Sequence, residues 1–144
     1  MTKVEASVVI DRPVEDVWKF MSDMSNDPKW NPETLEVKQV SAGPLAVGTI
    51  LDDRHPKQTL RIRLYEYEPN RKFGYESISG PLKGSRVSYS VETVEGKTRL
   101  NLTLEPNFSG FYKLVGPFAH RRLKREVSPL AGNIKRALES EAKS

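Results

Sequence analysis

The chain has 144 residues, 37% of them hydrophobic and 29% charged, with a formal net charge of +4 and no cysteine. That length is close to the commonest for one domain, and folding buries about two-thirds of the surface of the extended chain. The composition excludes a collagen-like, low-complexity or wholly disordered chain, and the absent cysteines exclude a disulfide scaffold, a thiolate zinc site and a cysteine nucleophile.

The excess of 23 Lys+Arg over 19 Asp+Glu is small and spread along the chain, short of a nucleic-acid footprint. No apolar run reaches the length of a membrane span. The first residues, Met1 to Ser7, hold an acid and no apolar core, unlike a secretory signal. The expectation is a cytoplasmic chain with one domain over residues 1–144.

In chain order, Val4, Ala6, Val8 and Ile10 alternate with Glu5, Ser7 and Val9, the pattern of a half-buried strand. Asp11-Arg12-Pro13 breaks it, and Val14, Val17, Trp18 and Met21 recur at helical spacing, so 13–22 reads as a short helix. Ser25 to Pro32 holds capping residues and two prolines, enough for one further helical turn. From 34 to 105 the period is two, with turns at Gly43-Pro44, His55-Pro56, Pro69-Asn70, Gly80-Pro81 and Glu95-Gly96. Short connections of this kind make an antiparallel meander.

The tail carries the longest helical pattern. Val115, Phe118, Ala119, Leu123, Val127, Leu130, Ala131, Ile134, Ala137 and Leu138 form one stripe, with Arg121, Lys124, Arg125, Lys135, Arg136 and Glu139 mostly off it. About 24 helical residues span about 36 Å, close to a ten-residue strand, so one helix can lie along a whole sheet. Pro129 is expected to kink this helix or to restart it with Ser128 as cap.

An antiparallel sheet and an amphipathic helix each have one face to bury, and each covers the other. The helix is about 10 Å wide and the strands are about 4.8 Å apart, so a six- or seven-stranded curled sheet outspans one helix and leaves room beside it. A deep apolar hollow with few polar groups is the usual form of a small-molecule site.

The order of these segments resembles a known family. Val4–Ile10, the run from Arg12-Pro13-Val14 to Lys19-Phe20, and Asp27-Pro28-Lys29-Trp30-Asn31-Pro32 are similar to the opening of the START-like (SRPBCC, helix-grip) superfamily. The branch is the polyketide cyclase/dehydrase and lipid-transport family, which shares its fold with plant pollen allergens. Glu66 to Phe73 resembles that family's strand-turn-strand, and Leu130 to Glu139 its helix end. The resemblance implies an α+β helix-grip fold: a curved antiparallel sheet of about seven strands around a long C-terminal helix, with two short helices after the first strand. It also implies a cavity for a lipid, polyketide or similar molecule. Fold alone does not set function.

Residues expected to line such a cavity are Trp30, Leu60, Ile62, Phe73, Tyr75, Tyr89, Leu102, Phe108, Phe118 and Arg122. Each has a plainer alternative. Trp30 reads as an aromatic wall or as ordinary packing, whereas Trp18 reads as core. The Tyr75 and Tyr89 hydroxyls either meet a ligand oxygen or bond to backbone or water. Arg122 either holds a ligand carboxylate or pairs with Glu126 on its own helix. The basic run His120–Arg125 is a solvated helix face or a contact for anionic lipid headgroups or nucleic acid.

Asp52-Asp53-Arg54-His55 is the one cluster with catalytic residue types. Neighbouring strand residues face opposite ways, so the two carboxylates cannot act as one dyad, and His55 is expected to be solvated in its turn. With only His55 and His120, no His-rich metal site is available; no metal and no cofactor are expected. The expected partner is a small hydrophobic ligand, with no nucleic acid and no stable membrane insertion, on a monomer or weak homodimer. The competing classes are a cyclase, aromatase or dehydratase using Tyr75, Tyr89 or Arg122 as proton donors, and a partner-binding protein docking through Arg61, Arg63 and Arg86.

Overall fold

The computed structural model describes residues 3–80, 83–105 and 116–141, and within the terminal helix the side chains at 121, 124, 125 and 127–140. Period-two patterning accounts for its sheet. Seven antiparallel strands, β1 (Val4–Ile10), β2 (Glu36–Gln39), β3 (Ile50–Arg54), β4 (Thr59–Glu68), β5 (Lys72–Ser77), β6 (Arg86–Val94) and β7 (Lys97–Glu105), lie in the order β1-β7-β6-β5-β4-β3-β2. From β2 to β7 the sheet is the expected meander. The non-sequential pair is β1 with β7, in register from Val4↔Leu104 to Ile10↔Thr98. The β6–β7 turn uses Glu95 and Gly96 at φ 51° and 79°, the left-handed pair of a two-residue hairpin.

One irregularity redirects the side chains of β4. Before it, Ile62 and Leu64 point to the core, each 1% exposed. The register then slips between Leu64↔Tyr75 and Glu66↔Gly74, leaving Tyr65 as the extra residue of a bulge. Beyond it Tyr67 faces inward, with its ring 5.8 Å from Trp18. Tyr65 stays on the outer surface, close over Gly74, with the Arg86 guanidinium 4.6 Å from its ring centroid.

Helix α1 (Val14–Ser22) buries Val17, Trp18, Phe20 and Met21, and a 3-10 helix (Met24–Lys29) follows, as the sequence pattern indicates. Helix α2 (Gly116–Glu141) buries Val127, Ala131, Ile134 and Leu138 on its stripe and exposes Arg121, Lys124, Arg125 and Arg136. It runs through Pro129 without restarting. Ser128 is not a cap: its hydroxyl donates back to the Lys124 carbonyl at 2.8 Å inside the helix.

Helix α2 packs chiefly along β1, one edge of the sheet. Lys135 Nζ donates to the Val9 carbonyl at 2.8 Å, and the Asp11 N–H donates to Glu139 Oε2 at 3.0 Å. These ties hold the helix to one side, so the middle of the curled sheet, β4 to β6, is not filled by it.

Candidate functional site

The uncovered middle of the sheet is a cavity of about 690 Å³. Its apolar walls come from Leu60 and Ile62 on β4, Val87 on β6, Leu102 and Leu104 on β7, and Val127 and Leu130 on α2. Trp30, Asn31, Pro32 and Glu33 form its lip after the 3-10 helix. That lip is fastened to α2, because Asn133 Nδ2 donates to the Trp30 carbonyl at 3.0 Å.

Of the residues expected at the cavity, Trp30, Leu60, Ile62, Tyr75, Tyr89 and Leu102 line it. Trp30 also packs, edge-on to Tyr89 at 6.3 Å, so wall and packing are one role here. Phe73 does not line the cavity. It is 2% exposed, stacked on Tyr89 at 5.0 Å and set edge-on to Trp18 at 5.5 Å, as core behind the wall. Phe108 and the side chains of Phe118 and Arg122 lie outside the described residues.

The polar end of the cavity differs from expectation. Asp52 and Asp53 do face opposite ways: Asp52 is outside, paired with Arg61 at 2.9 and 3.1 Å, and Asp53 is inside at 8% exposure. His55 is not solvated as expected. It turns inward beside Asp53 on the cavity wall, with Nε2 3.1 Å from Asp53 Oδ2 at an angle too bent for a straight hydrogen bond. Its turn pulls it in, since the His55 N–H donates to the Gln58 carbonyl at 2.8 Å and continues the β3–β4 pairing. Burial raises the Asp53 pKa above the ordinary carboxylate value, and the contact with His55 opposes that rise.

Asp27 is a further buried carboxyl near Asp53, and sequence reasoning missed it. It lies in the 3-10 helix, 6% exposed, where the pattern suggests only capping. Its pKa stands well above normal, mainly because burial disfavours the charge and then because Asp53 is near. The Trp30 indole N–H is close enough to favour the Asp27 carboxylate but has no hydrogen-bond partner of normal geometry. Tyr75 and Tyr89 interact through their hydroxyls, and burial holds both protonated far above neutral pH. A signal for Asp27 existed only in its place three residues before Trp30.

On the outer face the three arginines of the proposed docking stripe share two carboxylates. Arg61 meets Asp52, Arg63 meets Glu76 at 2.7 Å, and Arg86 meets Glu76 at 3.7 Å. Among the described residues no group of three or more His, Asp or Glu side chains could hold a metal ion, and no helix is long and apolar enough to cross a membrane.

With this geometry in view, the model of the family described as polyketide cyclase / dehydrase and lipid transport matches residues 1–139. The chain belongs to that family. Solved structures agree on the fold. The di-domain ARO/CYC BexL from the BE-7585A biosynthetic pathway superposes with a TM-score of 0.81 at 16% identity, covering 96% of this chain and 47% of that one. The chain therefore spans about half the length of that di-domain protein. TTHA0849 from Thermus thermophilus gives 0.76 at 17% identity, covering 99% of both chains. Ara h 8.0201 gives 0.73 at 15% identity, covering 96% of this chain and 97% of that one. At these identities the likeness is one of helix-grip fold. No curated protein matches the chain.

Proposed function

We propose that this protein binds, carries or sequesters a small hydrophobic molecule, of the lipid or polyketide kind, in the cavity between sheet and α2. The observation that carries the reading is the cavity itself: about 690 Å³, lined mainly by apolar side chains from β4, β6, β7 and α2, with Asp53, His55, Tyr75 and Tyr89 among its polar groups. That is the make-up of a small-molecule site, in which removal of apolar ligand area from water drives binding at about 25 cal/mol per Å² and a few polar groups set orientation. Membership of a family whose description includes lipid transport supports it. Trp30, Leu60, Ile62, Tyr75, Tyr89 and Leu102 are the proposed contacts. Native mass spectrometry of freshly purified protein tests the reading. A co-purified hydrophobic molecule supports it, and a chain that stays empty and takes up no fatty alcohol, amine or acid sinks it.

A second reading is a cyclase-, aromatase- or dehydratase-type enzyme. It is favoured by the Asp53–His55 contact on the cavity wall, which supplies a candidate general base in the same cavity as the Tyr75 and Tyr89 hydroxyls, the candidate proton donors. Turnover of a poly-oxygenated substrate that is lost in both His55→Ala and Tyr75→Phe would establish it over simple binding.

A further inference from the structure

Among the described residues, the polar end of the cavity sets the Asp53 carboxyl beside the His55 imidazole and holds no lysine or arginine. Asp53 faces the cavity at 8% exposure; Oδ2 touches His55, the buried Thr34 side chain is close enough to favour the carboxylate, and Oδ1 still has no hydrogen-bond partner of normal geometry. A buried carboxylate oxygen without a donor is costly, and native structures seldom leave one unless something else supplies the donor. Asp27 adds a second carboxyl nearby, 6% exposed. The Tyr75 and Tyr89 hydroxyls are engaged with each other and feel both aspartates.

We propose that this end reads the head of the bound molecule, selecting a hydrophobic ligand whose head donates a hydrogen bond to Asp53, an ammonium or a hydroxyl, and rejecting one that ends in a carboxylate. The proposal rests on the cavity being a hydrophobic-ligand site and adds the chemistry of the ligand's polar end. A donor at Oδ1 completes the hydrogen bonding of Asp53, and an ammonium adds a charge-assisted bond. A ligand carboxylate would lose its water only to face Asp53. The Trp30 N–H and His55 Nε2 could serve its oxygens, but His55 already stands against Asp53, and these neutral donors do not offset a like charge in a low-dielectric hollow. This reverses the carboxylate ligand that Arg122 suggests from sequence.

Three probes with one tail separate the possibilities: decylamine, 1-decanol and decanoate, each titrated into the full chain near neutral pH by calorimetry. Decylamine and decanol are expected to bind, and decanoate at least about tenfold more weakly. Asp53→Asn is expected to weaken decylamine about tenfold and to leave decanol within about threefold. Decanol tighter than decylamine, with both above decanoate, supports the hydroxyl as the head. Decanoate as tight as the other two, or tighter, overturns the proposal while leaving the cavity a hydrophobic site. If none of the three binds, the reading beneath the proposal fails with it. The selectivity of the unaltered protein decides the matter even if Asp53→Asn does not fold.

Discussion

His55 Nε2 stands 3.1 Å from Oδ2 of Asp53, two residues back along the same strand edge, with the cavity on their shared side. Burial raises the Asp53 pKa, and His55 is the main influence pulling it back. Replacing His55 with alanine removes that influence. The Asp53 pKa is then expected to move further up, because burial is left with less to oppose it. Carbon-detected NMR titration of the aspartate carboxyls reads this directly, and an unmoved or lowered Asp53 value would contradict the contact.

Asp27 gives the chain a stability that depends on pH. Its folded pKa lies well above the ordinary value, so the folded state holds the proton more tightly than the unfolded chain does. The stabilisation from this group is complete below the unfolded value of about 3.9 and is lost as pH rises toward the raised folded value. Asp27→Asn cannot ionise, so it is expected to gain on the parent by about 1–3 kcal/mol near neutral pH, with the gap closing toward pH 4. Thermal melts across that range check it; parallel curves for the two proteins would refute the assignment.

Leu60 is partly exposed to the cavity from β4, and its replacement by tryptophan occupies the space in front of Ile62. Displacing about 100 Å² of ligand contact costs about 2.5 kcal/mol of binding. Decanol affinity is expected to fall at least tenfold while the melting temperature moves little. Unchanged affinity would mean that the ligand sits elsewhere.

Gly74 is where the outer face of β5 meets the Tyr65 bulge. A Cβ there would come within 2.8 Å of the Tyr65 ring carbon and hydroxyl, so the ring must shift and leave its place beneath Arg86. Gly74→Ala is therefore expected to cost about 1 kcal/mol by urea unfolding, and nearly nothing in a Tyr65→Ala background. Additive costs in the double variant would show that the bulge does not depend on this contact.

Most of the scaffold was legible along the chain because it depends on local periodicity. Alternation in Val4–Ile10 and β4 to β7, the stripe Val127–Leu138 and the Glu95-Gly96 turn each follow from neighbours a few residues apart. The restart expected at Pro129 does not occur, because a proline's cost to a helix is local, whereas the packing of Val127, Ala131 and Ile134 that carries the helix past it is not.

The amino-acid order by itself determined the elements, their meander and the excess width of the sheet over its helix, since propensity, spacing and turn chemistry act over short stretches. Only the tertiary structure decided what stands in the hollow. The bulge at Tyr65 reverses which side chains of β4 face inward, the ties of α2 to β1 leave β4 to β6 uncovered, and Asp53 and His55 line the hollow, with Asp27 from a separate segment buried near Asp53. Burial changes the chemistry of the two aspartates, and burial is a property of packing across the chain that no local pattern records.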